Sequence, residues 1–175
     1  MPQDIFYVIF NTAIGWVGVL GSTKGLVHIT LPQKSKQDSI NILGSKLEQA
    51  ELSYNHFKDI TVRLKAYFSG REVEFRDKLD LSGATRFQNE VWQAVKCIPY
   101  GETRSYSWVA RQINRPNASR AVGQAVGRNP LPIVIPCHRV VANGGGIGGF
   151  GGGLDMKRYL LRLEAESRKE RLILL

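Results

Sequence analysis

The sequence predicts an α+β chain in two parts: an N-terminal three-stranded antiparallel sheet with helices over residues 1–84, and a mostly helical part with a helix-turn-helix over residues 85–175. Three observations carry this. β-branched and aromatic runs with turn signals between them fill the first 31 residues. Helical periodicity takes over from Ser35. A charged, irregular stretch at 71–84, ending in Ser82-Gly83, separates the two parts.

Each element has its own signal. Ile5–Phe10 reads as a strand, Asn11–Gly15 as a turn, Trp16–Leu20 as a second strand and Gly25–Leu31 as a third, stopped by Pro32. Over Ser35–Ala50, Ile40, Leu43, Leu47 and Ala50 form a helical stripe. Ile60, Leu64, Tyr67 and Phe68 mark a second helix that Ser69-Gly70 ends. Thr85 with Gln88 is a capping box, opening a helix whose apolar face is Phe87, Val91, Ala94, Val95 and Ile98. Two short helices follow, Ser107–Ile113 and a second running from a Ser119 cap to about Gly127, with Asn114–Asn117 as the turn. Ile133–Ile135, between Pro132 and Pro136, has the apolar pattern of a short buried strand. Leu154–Glu166 closes the pattern as a helix with Leu160, Leu161 and Leu163 for packing.

Charge divides as the elements do. The net charge is +9, yet residues 1–84 hold 10 Lys/Arg against 9 Asp/Glu, and residues 85–175 hold 14 against 6. The excess in the second part points to an anionic partner, nucleic acid first, with a solvated basic surface as the bland alternative. The helix at 119–127 is dominated by small residues, and a glycine inside a helix costs on the order of 1 kcal/mol. Gly123 and Gly127 therefore suggest close approach, either by another helix or by a nucleic-acid groove. No run reaches membrane-spanning length, and Met1–Phe10 lacks the features of a signal peptide, so a cytoplasmic location is expected. Two cysteines, Cys97 and Cys137, fit a reducing compartment.

The chemistry concentrates in Pro136-Cys137-His138-Arg139-Val140. An isolated cysteine is more often an inert core thiol. Here a proline and a histidine flank it, Arg139 and the basic surroundings favour a thiolate, and His138 is a candidate base. Adjacent residues of an extended chain point apart, so contact needs a turn at Cys137 or a bridging water. Metal ligation is disfavoured: there is no CxxC or HxxxH, and the only histidines are His28, His56 and His138. Gly144–Gly153 has eight glycines in ten residues and reads as a flexible loop or a lid over a ligand. Glu164 is either an exposed ion-pair partner or an inward carboxylate that orients a histidine. On these residues alone three readings stay open: a cysteine that accepts a group from DNA, a DNA-binding module without chemistry, and a cysteine hydrolase.

Taken together, Arg120-Ala121-Val122-Gly123, Asn129-Pro130 and Ile135-Pro136-Cys137-His138-Arg139-Val140 resemble the O6-alkylguanine-DNA alkyltransferases. Phe87-Gln88, Val91-Trp92 and Ile98–Gly101 upstream, and Gly152–Leu154, Lys157 and Leu160-Leu161 downstream, extend the likeness over residues 85–165. The first 84 residues share domain size and strand order with that family.

The resemblance implies a ribonuclease H-like N-terminal domain and a winged helix-turn-helix C-terminal domain. It implies direct repair of duplex DNA: a flipped O6-alkylguanine gives its alkyl group irreversibly to Cys137, once per molecule, without cofactor or metal. His138 would deprotonate Cys137 through a water, Glu164 would hold His138, and Asn129 would tie the recognition helix to the active-site strand. Tyr106 would bond guanine N3, while the Val140 carbonyl and Gly151 N–H read the guanine edge beside Phe150. Arg120 would fill the space left by the flipped nucleotide, with Ser119, Ala121 and Gly123 on the same DNA-facing helix. A monomer is expected. The chain departs from some members in having Gly151 for serine and Phe150 for tyrosine. No cysteine precedes Cys97, so the structural zinc of some members is not expected.

Overall fold

The computed structural model describes residues 4–173, with side chains described through residue 169. The chain divides into two compact units, Met1–Ser82 and Gly83–Leu175.

In the first unit, β1 (Ile5–Thr12), β2 (Gly15–Ser22) and β3 (Gly25–Ile29) form the antiparallel meander. The turn is tighter than the composition suggested, since β1 and β2 pair as far as Thr12 with Gly15. A fourth strand, β4 (Ala50–Leu52), lies parallel to β1, giving the order β3-β2-β1-β4. The expected single helix over 35–50 is therefore three pieces: α1 (Lys36–Leu43), a 3-10 turn (Gly44–Leu47) and β4. Gly44 has φ +55°, a conformation that stops the α-helix and that glycine enters without steric cost. Packing on β1 draws the tail of the predicted stripe into the sheet. The second helix, α2 (Lys58–Phe68), buries Ile60, Leu64, Tyr67 and Phe68, the four positions its periodicity marked. α1 lies against β1 and β2, and α2 lies against β1. Val17, Val19, Leu43 and Leu64 fill the space between.

The second unit is mainly helical. α3 (Arg86–Lys96) starts at the Thr85–Gln88 capping box, with both reciprocal bonds formed. Val91, Trp92, Val95 and Ile98 are its buried face, while Phe87 stays half-buried beneath the Arg115 guanidinium. β5 (Arg104–Ser105), α4 (Tyr106–Gln112) and α5 (Ser119–Gly127) follow. The N-cap of α5 is Ala118, without a side-chain bond, so Ser119 is the first helical residue and not the expected cap. α5 packs on both α3 and α4, and the Trp92 indole N–H donates to the Ala125 carbonyl at 2.9 Å.

Ile133–Ile135 is buried but is not the expected strand. Pro132 and Pro136 remove two ladder donors, and the segment folds into a tight turn closed by Ile135 N–H to Leu131 O at 2.8 Å. Ile133 takes φ +75°, costing roughly 1–2 kcal/mol for an L-residue. β6 (Val140–Val141) then pairs in parallel with β5, and α6 (Leu154–Ile173) closes the chain.

Candidate active site in the helical unit

Three elements converge on Cys137. It opens a 3-10 turn, Cys137–Arg139, at the end of the proline-bracketed segment. That turn supplies the backbone reversal an extended chain would lack. The two-residue pairing of β5 with β6 brings the start of α4, and with it Tyr106, beside this turn. α6 packs against the same turn and contributes Lys157 and Glu164.

Glu164 and His138 are fully enclosed, the first at 0% and the second at 0% exposure. His138 Nε2 lies 2.6 Å from Glu164 Oε1. With Nε2 bearing the proton toward the carboxylate, Nδ1 is the basic nitrogen of the ring. Glu164 also accepts from Gly101 N–H at 2.9 Å and from Arg139 Nε and Nη2, each at 3.0 Å. Burial pushes the Glu164 carboxyl up, but His138 and then Arg139 outweigh it and hold it at about 2. Burial pushes His138 down, Glu164 opposes this, and the Arg139 and Lys157 cations add to the lowering. The imidazole is therefore neutral at physiological pH.

Cys137 is 6% exposed. Burial raises its thiol, against hydrogen bonding by Asn129 and the charge of Lys157. This corrects the expectation of an acidified thiol favoured by Arg139. Arg139 is spent on Glu164 and on the Ile98 carbonyl at 2.7 Å, and the nearby cation is Lys157. The resting group is a neutral thiol, so its proton must leave during the reaction.

Lys157 was legible only as part of the family likeness, although a signal was present. Lys157, Leu160 and Glu164 share the i, i+3, i+7 stripe of α6, which puts two charged residues at core positions. Its ammonium donates to the Val140 carbonyl at 2.6 Å and the Gly149 carbonyl at 3.0 Å, tying β6, which follows the Cys137 turn, to the glycine-rich loop. Burial lowers it to about 8, against the pull of Cys137. The Val140 carbonyl assigned to guanine thus already accepts one bond and keeps its second lone pair.

The remaining expected residues fall around this centre. Asn129, just beyond α5, donates to Ile135 O at 2.8 Å and accepts from Leu131 N–H at 2.9 Å, clamping the turn that contains Ile133. Half-buried Tyr106 directs its hydroxyl at the Gly149 carbonyl, 3.5 Å away. Burial raises this phenol, so it is a donor at neutral pH. Gly148 passes the Tyr106 ring with φ +74°, and an added Cβ would lie 2.9 Å from the hydroxyl oxygen. Phe150 is half-buried in that loop and Gly151 is exposed. On α5, Arg120 and Ala121 are exposed, Ser119 and Gly123 are half-buried, and a Cβ on Gly123 would rest 3.7 Å from the Tyr106 ring. No cluster of three or more metal-ligating side chains occurs among the described residues.

Comparison with known proteins places this arrangement. Residues 5–81 match the ribonuclease-like domain, and residues 86–166 the DNA-binding domain, of 6-O-methylguanine DNA methyltransferase. A methylated-DNA–protein-cysteine methyltransferase of Methanosarcina acetivorans is 42% identical over 160 residues, covering 91% of this chain and 98% of that protein. The chain belongs to the 6-O-methylguanine DNA methyltransferase family. Its methyltransferase fold is shared with the crystal structure of Mycobacterium tuberculosis OGT in complex with DNA, at TM-score 0.79 and 39% identity over 93% of this chain and 94% of that one. An O6-methylguanine DNA methyltransferase from Methanococcus jannaschii gives TM-score 0.62 and 31% identity, over 90% and 93% of the two chains. The ribonuclease-like and DNA-binding methyltransferase domains thus account for the α+β architecture of the two units.

Proposed function

We propose that this protein repairs duplex DNA by direct reversal, moving the alkyl group of O6-alkylguanine to Cys137 in a single irreversible turnover. The observation that carries the reading is a buried thiol on a tight turn beside a His138–Glu164 pair, in a chain of this family. In the step proposed, His138 takes the thiol proton through a water. The sulfur attacks the alkyl carbon in line, the S–C bond forms, and the C–O6 bond breaks with its electron pair leaving on guanine. Tyr106, a neutral phenol, donates toward guanine N3 to stabilise the leaving base, which ends with one proton regained. The thioether has no route back to a thiol, so each molecule acts once.

The reading assigns the base edge to the Val140 carbonyl, Phe150 and Gly151, and the active-site clamp to Asn129. It assigns DNA to α5, where the small residues Ser119, Ala121 and Gly123 keep the helix slim enough for a narrow groove. An alkylated pair is weaker and opens more cheaply, and Arg120 enters the stack in its place. The protein works as a cytoplasmic monomer. No described helix is long and apolar enough to cross a membrane.

The test is equimolar incubation with a duplex carrying labelled O6-methylguanine, read by intact mass. The expected result is one methyl group on the wild type and none on Cys137→Ala. Label that stays on DNA overturns the reading, and repeated turnover without a mass gain points to a hydrolase. Arg120→Ala should slow repair of duplex DNA by about tenfold or more while leaving attack on the free alkylated base unchanged. Equal losses on both substrates count against its place in the stack.

A further inference from the structure

Glu164 has an unusual amount of company for a carboxylate that orients a base. Oε1 receives His138 Nε2 at 2.6 Å and Arg139 Nη2 at 3.0 Å, while Oε2 receives Arg139 Nε at 3.0 Å and Gly101 N–H at 2.9 Å. The Arg139 guanidinium is 10% exposed, and its carbon stands 5.5 Å from the centre of the Tyr100 ring. Its remaining fork nitrogen, Nη1, donates to the Ile98 carbonyl at 2.7 Å. Arg139 is therefore fixed on three sides and turned toward the carboxylate.

This matters because a buried carboxylate with histidine as its only charged partner draws a proton onto the ring. Such a histidine is a cation at rest and cannot accept a proton. A guanidinium stays charged at any working pH, so it completes the ion pair with Glu164 and removes that demand. We infer that Arg139 is a positioning residue for alkyl transfer: it satisfies the charge of Glu164 so that Glu164 orients His138 by hydrogen bonding while the imidazole remains neutral and able to take the Cys137 proton. The charged and titratable groups that face His138 agree with this. Glu164 and Lys157 come from α6, Arg139 from its own turn, and Tyr100 backs the guanidinium. Without Arg139, Glu164 is left as the dominant partner, and an ion pair with protonated His138 becomes the favoured resting state.

The inference rests on the alkyl-transfer reading, and the experiment separates the two. Single-turnover methyl transfer is measured across pH for the wild type, Arg139→Gln and Arg139→Lys. Arg139→Gln should transfer about tenfold or more slowly near pH 6.5 and recover as pH rises, its acid limb displaced upward by about one unit or more. Arg139→Lys keeps the cation and should return the limb toward the wild-type position, even if slower throughout. A purely structural role would lower the rate equally at every pH and leave the limb in place, and that result overturns the inference. The second measurement needs no variant. The His138 ring nitrogens of the wild type, followed by NMR, should report a neutral imidazole down to about pH 6. A protonated ring there overturns the inference, whereas a wild type that transfers no methyl group at any pH overturns the underlying reading instead.

Discussion

Glu164→Gln should destabilise the protein by about 3–5 kcal/mol and reduce methyl transfer to background. The amide has nearly the shape of the carboxylate, so packing is preserved and the loss reports charge. Arg139 would be left as a buried cation with no anion, and one face of the amide would present N–H groups to donors. For a unit of roughly 90 residues, each kcal/mol lost lowers Tm by about 4–8 °C. Thermal denaturation of the unalkylated protein measures the effect, and a loss below about 1 kcal/mol would show that the ion pair contributes little. The same carboxylate sets an acid limit. Its pKa is depressed from the ordinary value near 4.3 to about 2, so its stabilisation is complete above about pH 5 and disappears as pH falls toward 2. Acid unfolding of the wild type should therefore be steeper between about pH 5 and 2 than that of Glu164→Gln.

Lys157→Met should slow methyl transfer by about tenfold or more with little loss of stability. Methionine fills the stem's volume but donates nothing to the Val140 and Gly149 carbonyls, and it removes the cation beside the sulfur. Amide exchange in residues 144–153 should accelerate at the same time, because the only ammonium link between that loop and α6 among the described bonds is gone. The two effects separate by pH. Burial holds Lys157 at about 8, below the ordinary lysine value near 10.4, so the folded state gives up that proton before the unfolded state does. Stability of the wild type should rise as pH climbs from about 8 to 10, and Lys157→Met should lose that rise. An unchanged transfer rate together with unchanged loop exchange would remove Lys157 from the site.

Much of this site was legible in the chain because its parts obey local rules. The capping box at Thr85 and the stripe on α2 needed only neighbours a few residues away. Cys137 and His138 were readable because a cysteine between proline and histidine is unusual as a local feature, whereas Glu164 stayed open between a surface ion pair and an inward carboxylate until the family likeness assigned it to His138. β4 was not legible, since three residues become a strand only when β1 offers an edge. The segment before Cys137 looked like a strand because burial and apolar composition do not distinguish a strand from a buried turn. Its two prolines were the signal that did. The role of Arg139 was hidden for a different reason: in sequence it stands two residues from Cys137, but its partner lies 25 positions away on α6. Electrostatics follows distance in space, and the sequence orders the same groups by another measure.

A reagent that works once has a shelf life. On the proposed reading, every Cys137 consumed by an oxidant or a free electrophile is a lesion left unrepaired, and a cell offers many such encounters for each damaged base. A thiol 6% exposed behind its turn, with burial raising its pKa, should react slowly with oxidants and electrophiles in solution. Cys97, free and exposed on the same unit, meets those reagents without that protection. On the same reading, the burial that looked like an obstacle to nucleophilicity shields a reagent that can be spent only once.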